Sequence, residues 1–369
     1  MSKIVTLNDL GYVNRGRSKH RPRNAPELYG GPYPFVQTAD IKHADLYLTK
    51  YGQTYSELGL AQSRLWPAGT LCITIAANIA DTAILGCEAC FPDSIIGFIP
   101  DEDKCDVRYV KYLFDTQLQT AFKQLSQGVA QDNLSKDKLL SIKFSLPDLP
   151  VQRRIADILS AYDDLIENNR RRIAILEETA RLTYRKWFGG EDRSNEWEVH
   201  KVSEVLESFP RPKRVPKESY ITDGAYPCID QGKDFIGGYT NNEEAIVRRL
   251  PAIVFGDHTR VLKYVSEPFA CGADGTQLLY AKDGVLTQSY LYCALKEIDL
   301  TNYFYARHFK ILKSKEVFVP PYSIVKQFTD EVSCNLELIS VLRKHGVKLA
   351  AARDMLLPRL MNNKLRKDA

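Results

Sequence analysis

Two stretches decide the fold. The first is Phe144-Ser145-Leu146-Pro147, followed by Val151-Gln152-Arg153-Arg154-Ile155 and a long charged run. The second is Phe318-Val319-Pro320-Pro321, followed by Ile324-Val325-Lys326-Gln327-Phe328. Each reads as an apolar extended segment, then proline, then a helix start, because the residue before a proline is pushed out of the helical region and proline suits a first helical turn. The first predicted helix runs from about Val151 to Phe188 without proline or glycine. Its apolar seam falls at Ile155, Ile158, Tyr162, Leu165, Asn169, Ile173, Leu176, Ala180, Thr183 and Trp187. Steps of three and four with one slip are a coiled-coil pattern. The second predicted helix runs from about Ile324 to Leu360, with Phe328, Val332, Asn335, Leu338, Leu342, His345, Leu349, Ala352 and Leu356 in its seam; Gly346 and Pro358 weaken it locally.

The duplication extends upstream. Thr6-Leu7-Asn8-Asp9-Leu10 corresponds to Lys201-Val202-Ser203-Glu204-Val205, each a strand-and-helix start. A basic run follows in both halves, then glycine and a Tyr-Pro strand: Tyr33-Pro34-Phe35-Val36-Gln37 and Tyr226-Pro227-Cys228-Ile229-Asp230. Leu71–Ala76 and Ala252–Phe255 read as buried strands, and Asp106–Ser126 and Ser289–Lys296 as helical. The expected fold class is therefore α+β, a pseudo-twofold internal repeat. Two globular α/β domains (1–150 and 189–322) alternate with two long helices (151–188 and 323–369). A helix with one apolar seam must bury it on a partner, and antiparallel pairing of the two helices achieves this within one chain.

Composition narrows the function classes. The chain has 369 residues, 44% hydrophobic and 26% charged, with a formal net charge of +4. That charge is too small to identify a nucleic-acid partner, so its distribution matters more. Arg15, Arg17, Lys19, Arg21 and Arg23 alternate along one stretch with His20 among them and no acid; Arg211, Lys213, Arg214 and Lys217 occupy the equivalent place. Such loops suit phosphates or a groove, and glutamine suits adenine. The candidate DNA-binding set adds Gln37, Thr38, Asn78, Gln231, Lys233, His258, Thr259, Arg260, Thr276 and Gln277 to those basic residues. A further polar stretch, Gln127 to Asn133, precedes the first helix.

Catalytic patterns are weak. There is no phosphate-binding Gly-rich loop. Pro320-Pro321-Tyr322 is preceded by Val319, which cannot accept a hydrogen bond from an adenine amino group. Pro92-Asp93 with Glu102-Asp103-Lys104 formally matches a nuclease metal motif, which would need adjacent strands in register. Cys87 and Cys90, flanked by Cys72 and Cys105, offer either a zinc set or buried thiols. No metal site or catalytic residue is assigned; the alternatives are a nuclease or methyltransferase acting alone, and a coiled-coil adaptor without DNA specificity. No apolar run has the length of a membrane span, and the N-terminus lacks a signal-peptide core, so the expected location is the cytoplasm.

The residues then resemble a known family. Leu146-Pro147-Asp148-Leu149-Pro150-Val151-Gln152-Arg153-Arg154-Ile155-Ala156, continuing to Arg185-Lys186-Trp187-Phe188, is similar to the central conserved region of the specificity (S) subunits of type I restriction–modification systems. Leu356-Leu357-Pro358-Arg359-Leu360-Met361 resembles their distal conserved region, and Ile73–Leu85 and Gly272–Thr276 resemble segments of their target recognition domains. The resemblance implies that each globular half reads part of a split double-stranded DNA target. It also implies that the antiparallel helices set the spacer. Partners would be two modification (M) subunits, which methylate adenine, and two restriction (R) subunits, which cut DNA. This chain would bind no cofactor, with S-adenosylmethionine, ATP and Mg2+ held by the partners. Ser323-Ile324-Val325-Lys326 departs from the first helix start and leaves open where the second helix begins.

Overall fold

The structure is a computed structural model that describes residues 3–76, 79–118, 136–189, 197–210, 212–272, 275–302 and 307–361. The chain divides into two compact units, Met1–Glu167 with Val347–Ala369, and Asn168–Gly346.

Both long helices form: a central helix Leu149–Phe188 and a distal helix Tyr322–Met361, 40 residues each. Neither Gly346 nor Pro358 interrupts the second, and Pro320 and Pro321 place its start at Tyr322. In the first unit the beginning of the central helix packs with the end of the distal one. Ile155, Ala156 and Leu159 share a core with Leu356, Leu357, Leu360 and Met361, and Asp163 pairs with Arg353. In the second unit Tyr184 and Phe188 pack on Phe328 at 5.8 and 5.1 Å between ring centroids. Positions rise on one helix as they fall on the other, so the pairing is antiparallel within each unit.

The seams differ in detail from the sequence expectation. Ile158 and Leu165 are exposed, as are Leu338 and His345. The buried rows are Gln152, Ile155, Leu159, Asp163, Ile166 and Asn169, and, at matching spacing, Val325, Phe328, Val332, Leu336, Ile339 and Leu342. Two neighbouring rows carrying apolar residues were available on the first helix, and Gln152 favours one of them. Its side-chain amide donates to the Pro147 carbonyl at 2.8 Å and its Oε1 accepts from the Asp106 amide at 3.1 Å, which turns this face inward. Burial of a glutamine is tolerated because both ends of its amide are satisfied.

The globular parts repeat most of their strand pairings. Lys3–Val5 pairs antiparallel with Phe144–Leu146 just before the central helix, and Glu198–Lys201 pairs antiparallel with Glu316–Val319 before the distal one. The first unit has a sheet ordered Gln53–Tyr55, Tyr29–Phe35, Ala89–Cys90, Leu65–Trp66; the second has Gly238–Thr240, Tyr226–Ile229, Phe269–Cys271, Ile246–Val247. In each, only the middle pair is parallel. The other sheet of the first unit orders Gly11–Arg15, Ile95–Pro100, Leu71–Thr74, Thr82–Leu85 and Tyr47–Leu48. Its counterpart keeps the inner three, as Thr276–Leu279, Ala252–Gly256 and Leu262–Val265. A bridge from Leu206 to Ala281 stands where the first unit has the strand Gly11–Arg15.

Asp106 caps the helix Val107–Leu113 through the Arg108 and Tyr109 amides, and Gln288–Lys296 is the second helical segment expected from sequence. Among the described residues no helix is long and apolar enough to cross a membrane. Cys72, Cys90 and Cys105 lie in three different packed clusters, and burial pushes the Cys105 thiol up to about 12. No metal-ligating cluster of three or more His, Cys, Asp or Glu occurs among the described residues.

Candidate nucleic-acid interface

Backbone hydrogen bonds gather the same loops in each unit. In the first, the Val36 amide donates to Cys90 O at 2.8 Å, Arg17 N to Phe91 O at 3.0 Å, and Ile75 N to Ser94 O at 3.0 Å. In the second, Gly272 N donates to Ile229 O at 2.8 Å, Val215 N to Cys271 O at 3.0 Å, and Asp257 N to Gly275 O at 2.7 Å. The basic loop, the segment holding Gln37 or Gln231, the hairpin turn and the loop after the parallel strand therefore adjoin one another in both. The hairpin turns even share their unusual backbone. Ala80 (φ 71°) donates to Thr74 O at 2.9 Å, and Arg260 (φ 62°) to Gly256 O at 2.8 Å. A left-handed non-glycine residue persists only where its surroundings hold it.

The sequence-predicted residues separate into free and engaged groups. Arg15, Arg17 and Lys19 are exposed, and among the described residues their charged ends have no hydrogen-bond or ion-pair partner. Arg21 folds back on the Ser18 and His20 carbonyls at 2.9 and 2.8 Å. Arg23 pairs with Asp93 at 3.0 Å, so the acid missing from the local sequence is supplied by the neighbouring loop. The half-buried His20 ring donates to Pro22 O at 3.2 Å. Gln62, which the sequence did not single out, fixes this loop by accepting from the Lys19 and His20 amides at 2.6 and 3.0 Å. Gln37 is exposed and its Nε2 donates to Gln53 Oε1, while its amide is held by Asp40 at 2.8 Å. Thr38 is half-buried at the start of the short helix Thr38–Lys42.

In the second unit Lys213 pairs with Glu244 at 2.5 Å, and Arg214 donates to Thr276 O at 2.9 Å. Lys217, Lys233 and His258 are exposed. Gln231 lies one position beyond the place of Gln37, which Asp230 takes, and is engaged differently. Its Oε1 accepts from the His258 amide at 3.2 Å, its carbonyl accepts from Thr259 Oγ1 at 2.6 Å, and its amide packs against Gly275. Arg260 donates to Leu300 O and Thr301 O at 3.0 and 3.3 Å. Thr276 is fully buried and Gln277 half-buried, so Thr276 as placed here supports the loop from inside. Asn78, Arg211 and the stretch 127–133 lie outside the described residues, as do 273 and 274.

The enzymatic alternatives lose their geometry. Asp93 and Glu102 flank the two ends of the strand Ile95–Pro100, which holds them roughly 15–20 Å apart. Lys104 is paired with Asp101 at 2.9 Å. Asp257 and His258 do not form an acid–base pair. The Asp257 carboxylate caps the helix His308–Ser314 through the Phe309 amide at 2.8 Å, and its carbonyl is bonded by His308 Nδ1 at 2.8 Å. Pro320-Pro321-Tyr322 forms the strand-to-helix junction. The Asp257 contacts, like those of Gln62, join residues far apart in the chain and leave no local sequence signal.

Comparison with known proteins agrees with this architecture. Residues 2–178 match the family model described as the type I restriction modification DNA specificity domain. The chain is 24% identical to the type I restriction enzyme MjaIX specificity subunit of Methanocaldococcus jannaschii, over 98% of this chain and 93% of that protein. In fold it is similar to the crystal structure of a type I restriction–modification system S subunit from M. genitalium, with a TM-score of 0.59, 17% identity, and coverage of 98% of this chain and 96% of that one. The matched domain covers the first globular part and most of the central helix, and the second half repeats its strand order. Residues 2–178 match that specificity domain, and the chain over nearly its whole length is similar to a type I restriction enzyme specificity subunit.

Proposed function

We propose that this chain reads a bipartite double-stranded DNA target, one part with each globular unit, and directs adenine methylation and cleavage by modification and restriction partners while carrying no catalysis itself. The observation that carries this proposal is the duplicated loop cluster. The same four loops are gathered by backbone hydrogen bonds in both units, with a glutamine in the corresponding loop of each. Two similar but diverged readers in one chain suit two different short sequences. The exposed Arg15, Arg17 and Lys19 supply phosphate attraction, and the glutamine loops and His258 reach toward base edges. Two modification and two restriction subunits bring S-adenosylmethionine, ATP and Mg2+, and the complex works in the cytoplasm.

The test is reconstitution with its modification partner. Methylated adenines mapped across a genome should fall in one split motif. The chain alone should bind that motif and neither methylate nor cut. Cleavage or methyl transfer by the purified chain would overturn the proposal.

A further inference from the structure

The two reading loops after the parallel-paired strand are built by different means. In the first unit residues 36–52 form a helix-containing segment. Its Ile41 is buried in one core with Ala83 of the strand Thr82–Leu85. A helix satisfies much of its own backbone, so nothing beneath it has to donate. In the second unit residues 230–237 replace that whole segment before the next strand begins at Gly238. A loop this short turns carbonyls inward without helical partners, and buried carbonyls must be bonded.

Lys263 stands where the first unit has Ala83, as the strand registers show: Cys72 faces Ala83, and Val254 faces Lys263. Its side chain is 3% exposed. Its Nζ donates to the carbonyls of Asp230, Asp234 and Phe235 at 2.8, 2.5 and 3.3 Å. An ammonium has three protons, and here each has a carbonyl. The loop also meets Arg343 of the distal helix, whose guanidinium lies 4.0 Å from the Phe235 ring centroid.

We infer that Lys263 is a positioning residue for the second unit's reading loop, holding residues 230–236 in the shape that recognises one half of the target. This rests on the proposed reading function. Lys263 itself is buried and touches no DNA; it acts through Gln231 and Lys233.

Lys263→Met keeps the stem and removes the donors. In the reconstituted methyltransferase complex, discrimination against single-base changes in one half-site should fall at least tenfold, with the other half-site unchanged. For fully matched DNA, KM should rise about tenfold while kcat stays within twofold. Lys263→Gln, which keeps two donors, serves if the Met variant does not melt cooperatively, and it must give the same one-sided loss. Unchanged discrimination, equal losses in both half-sites, or failure of both variants to fold would overturn the inference. If the wild-type complex shows no sequence preference, it is the reading function that fails instead.

Discussion

Glu177 of the central helix accepts a 2.7 Å ion pair from Arg343 of the distal helix, whose guanidinium also lies on the Phe235 ring. One arginine thus ties the helix pair to a reading loop. Its planar head does both, which a lysine cannot reproduce. Arg343→Ala should destabilise the second unit by about 1–3 kcal/mol, combining lost stacking, lost packing of the stem and a half-buried Glu177 left alone. Arg343→Lys should recover less than half of this. Urea melts of the three proteins measure it, and a loss below 0.5 kcal/mol, roughly the worth of an exposed pair, would contradict the arrangement.

The first unit carries a different polar contact at its helix seam. Asp163 is buried, accepts from Tyr112 Oη at 2.5 Å and pairs with Arg353. Removing one member strands the others, so Asp163→Ala should cost about 3–5 kcal/mol. The second unit shows the apolar solution, because Leu336 and Ala180 occupy the equivalent seam positions within one packed cluster. The triple change Asp163→Leu, Arg353→Ala and Tyr112→Phe should therefore recover most of the lost stability. A triple variant no more stable than Asp163→Ala would show that the two seams are not interchangeable.

These seams show what was legible from sequence. Phe328, Val332 and Leu342 repeat at helical spacing, and Pro147 and Pro321 mark the helix starts, so the long helices and the duplication are local signals. The choice between Leu159 and Ile158 is not local. Both rows offer apolar residues, and Gln152 favours the buried one through Pro147 and Asp106. The site was legible as a pair of basic loops. Arg23 looked free because its partner Asp93 lies 70 residues away. Lys263 gives no sequence signal because its acceptors are backbone carbonyls, which every residue carries.

The same distinction predicts the electrostatics of DNA binding. Arg15, Arg17 and Lys19 are exposed, whereas Arg21 and Arg23 are held by carbonyls and by Asp93. Neutralising a phosphate releases condensed counterions, worth about 0.9 in the slope of log affinity against log salt. The triple change of Arg15, Arg17 and Lys19 to alanine should reduce that slope by about 2–3. Arg21→Ala with Arg23→Ala should reduce it by less than 1. Equal effects in a salt titration would show that the held arginines swing out on binding.

Burial pushes the Lys263 ammonium down to about 8. An unfolded lysine keeps its proton to about 10.4. Between those values the unfolded chain binds more protons than the folded one, so this residue makes stability rise with pH there. The slope contributed is at most about 1.4 kcal/mol per pH unit. Below about 8 both states are charged and the contribution is flat. The difference in unfolding free energy between wild type and Lys263→Met, measured from pH 7 to 10, should therefore grow in favour of wild type above pH 8. A difference independent of pH would mean that the folded lysine titrates normally.

Gln37 and Gln231 lie in corresponding loops, one position apart in the repeat, and have different tasks. Gln37 is exposed, and its bond to Gln53 orients the amide while leaving donor and acceptor capacity for a base edge. An amide in that state can pair with the N6 and N7 edge of adenine, worth about 1–3 kcal/mol of discrimination. Gln37→Ala should therefore lose 10- to 100-fold discrimination at one base pair, with unchanged melting, and Gln53→Ala should lose part of it. Gln231 instead fastens the His258 turn to its own loop and packs on Gly275, where φ is +83° and an added Cβ would lie 2.6 Å from the Gln231 amide nitrogen. Gln231→Ala and Gly275→Ala should each lower the second unit's stability, by about 1–3 kcal/mol, and blur several adjacent base preferences together. Loss of preference at a single base pair in Gln231→Ala, with full stability, would make it a direct reader like Gln37.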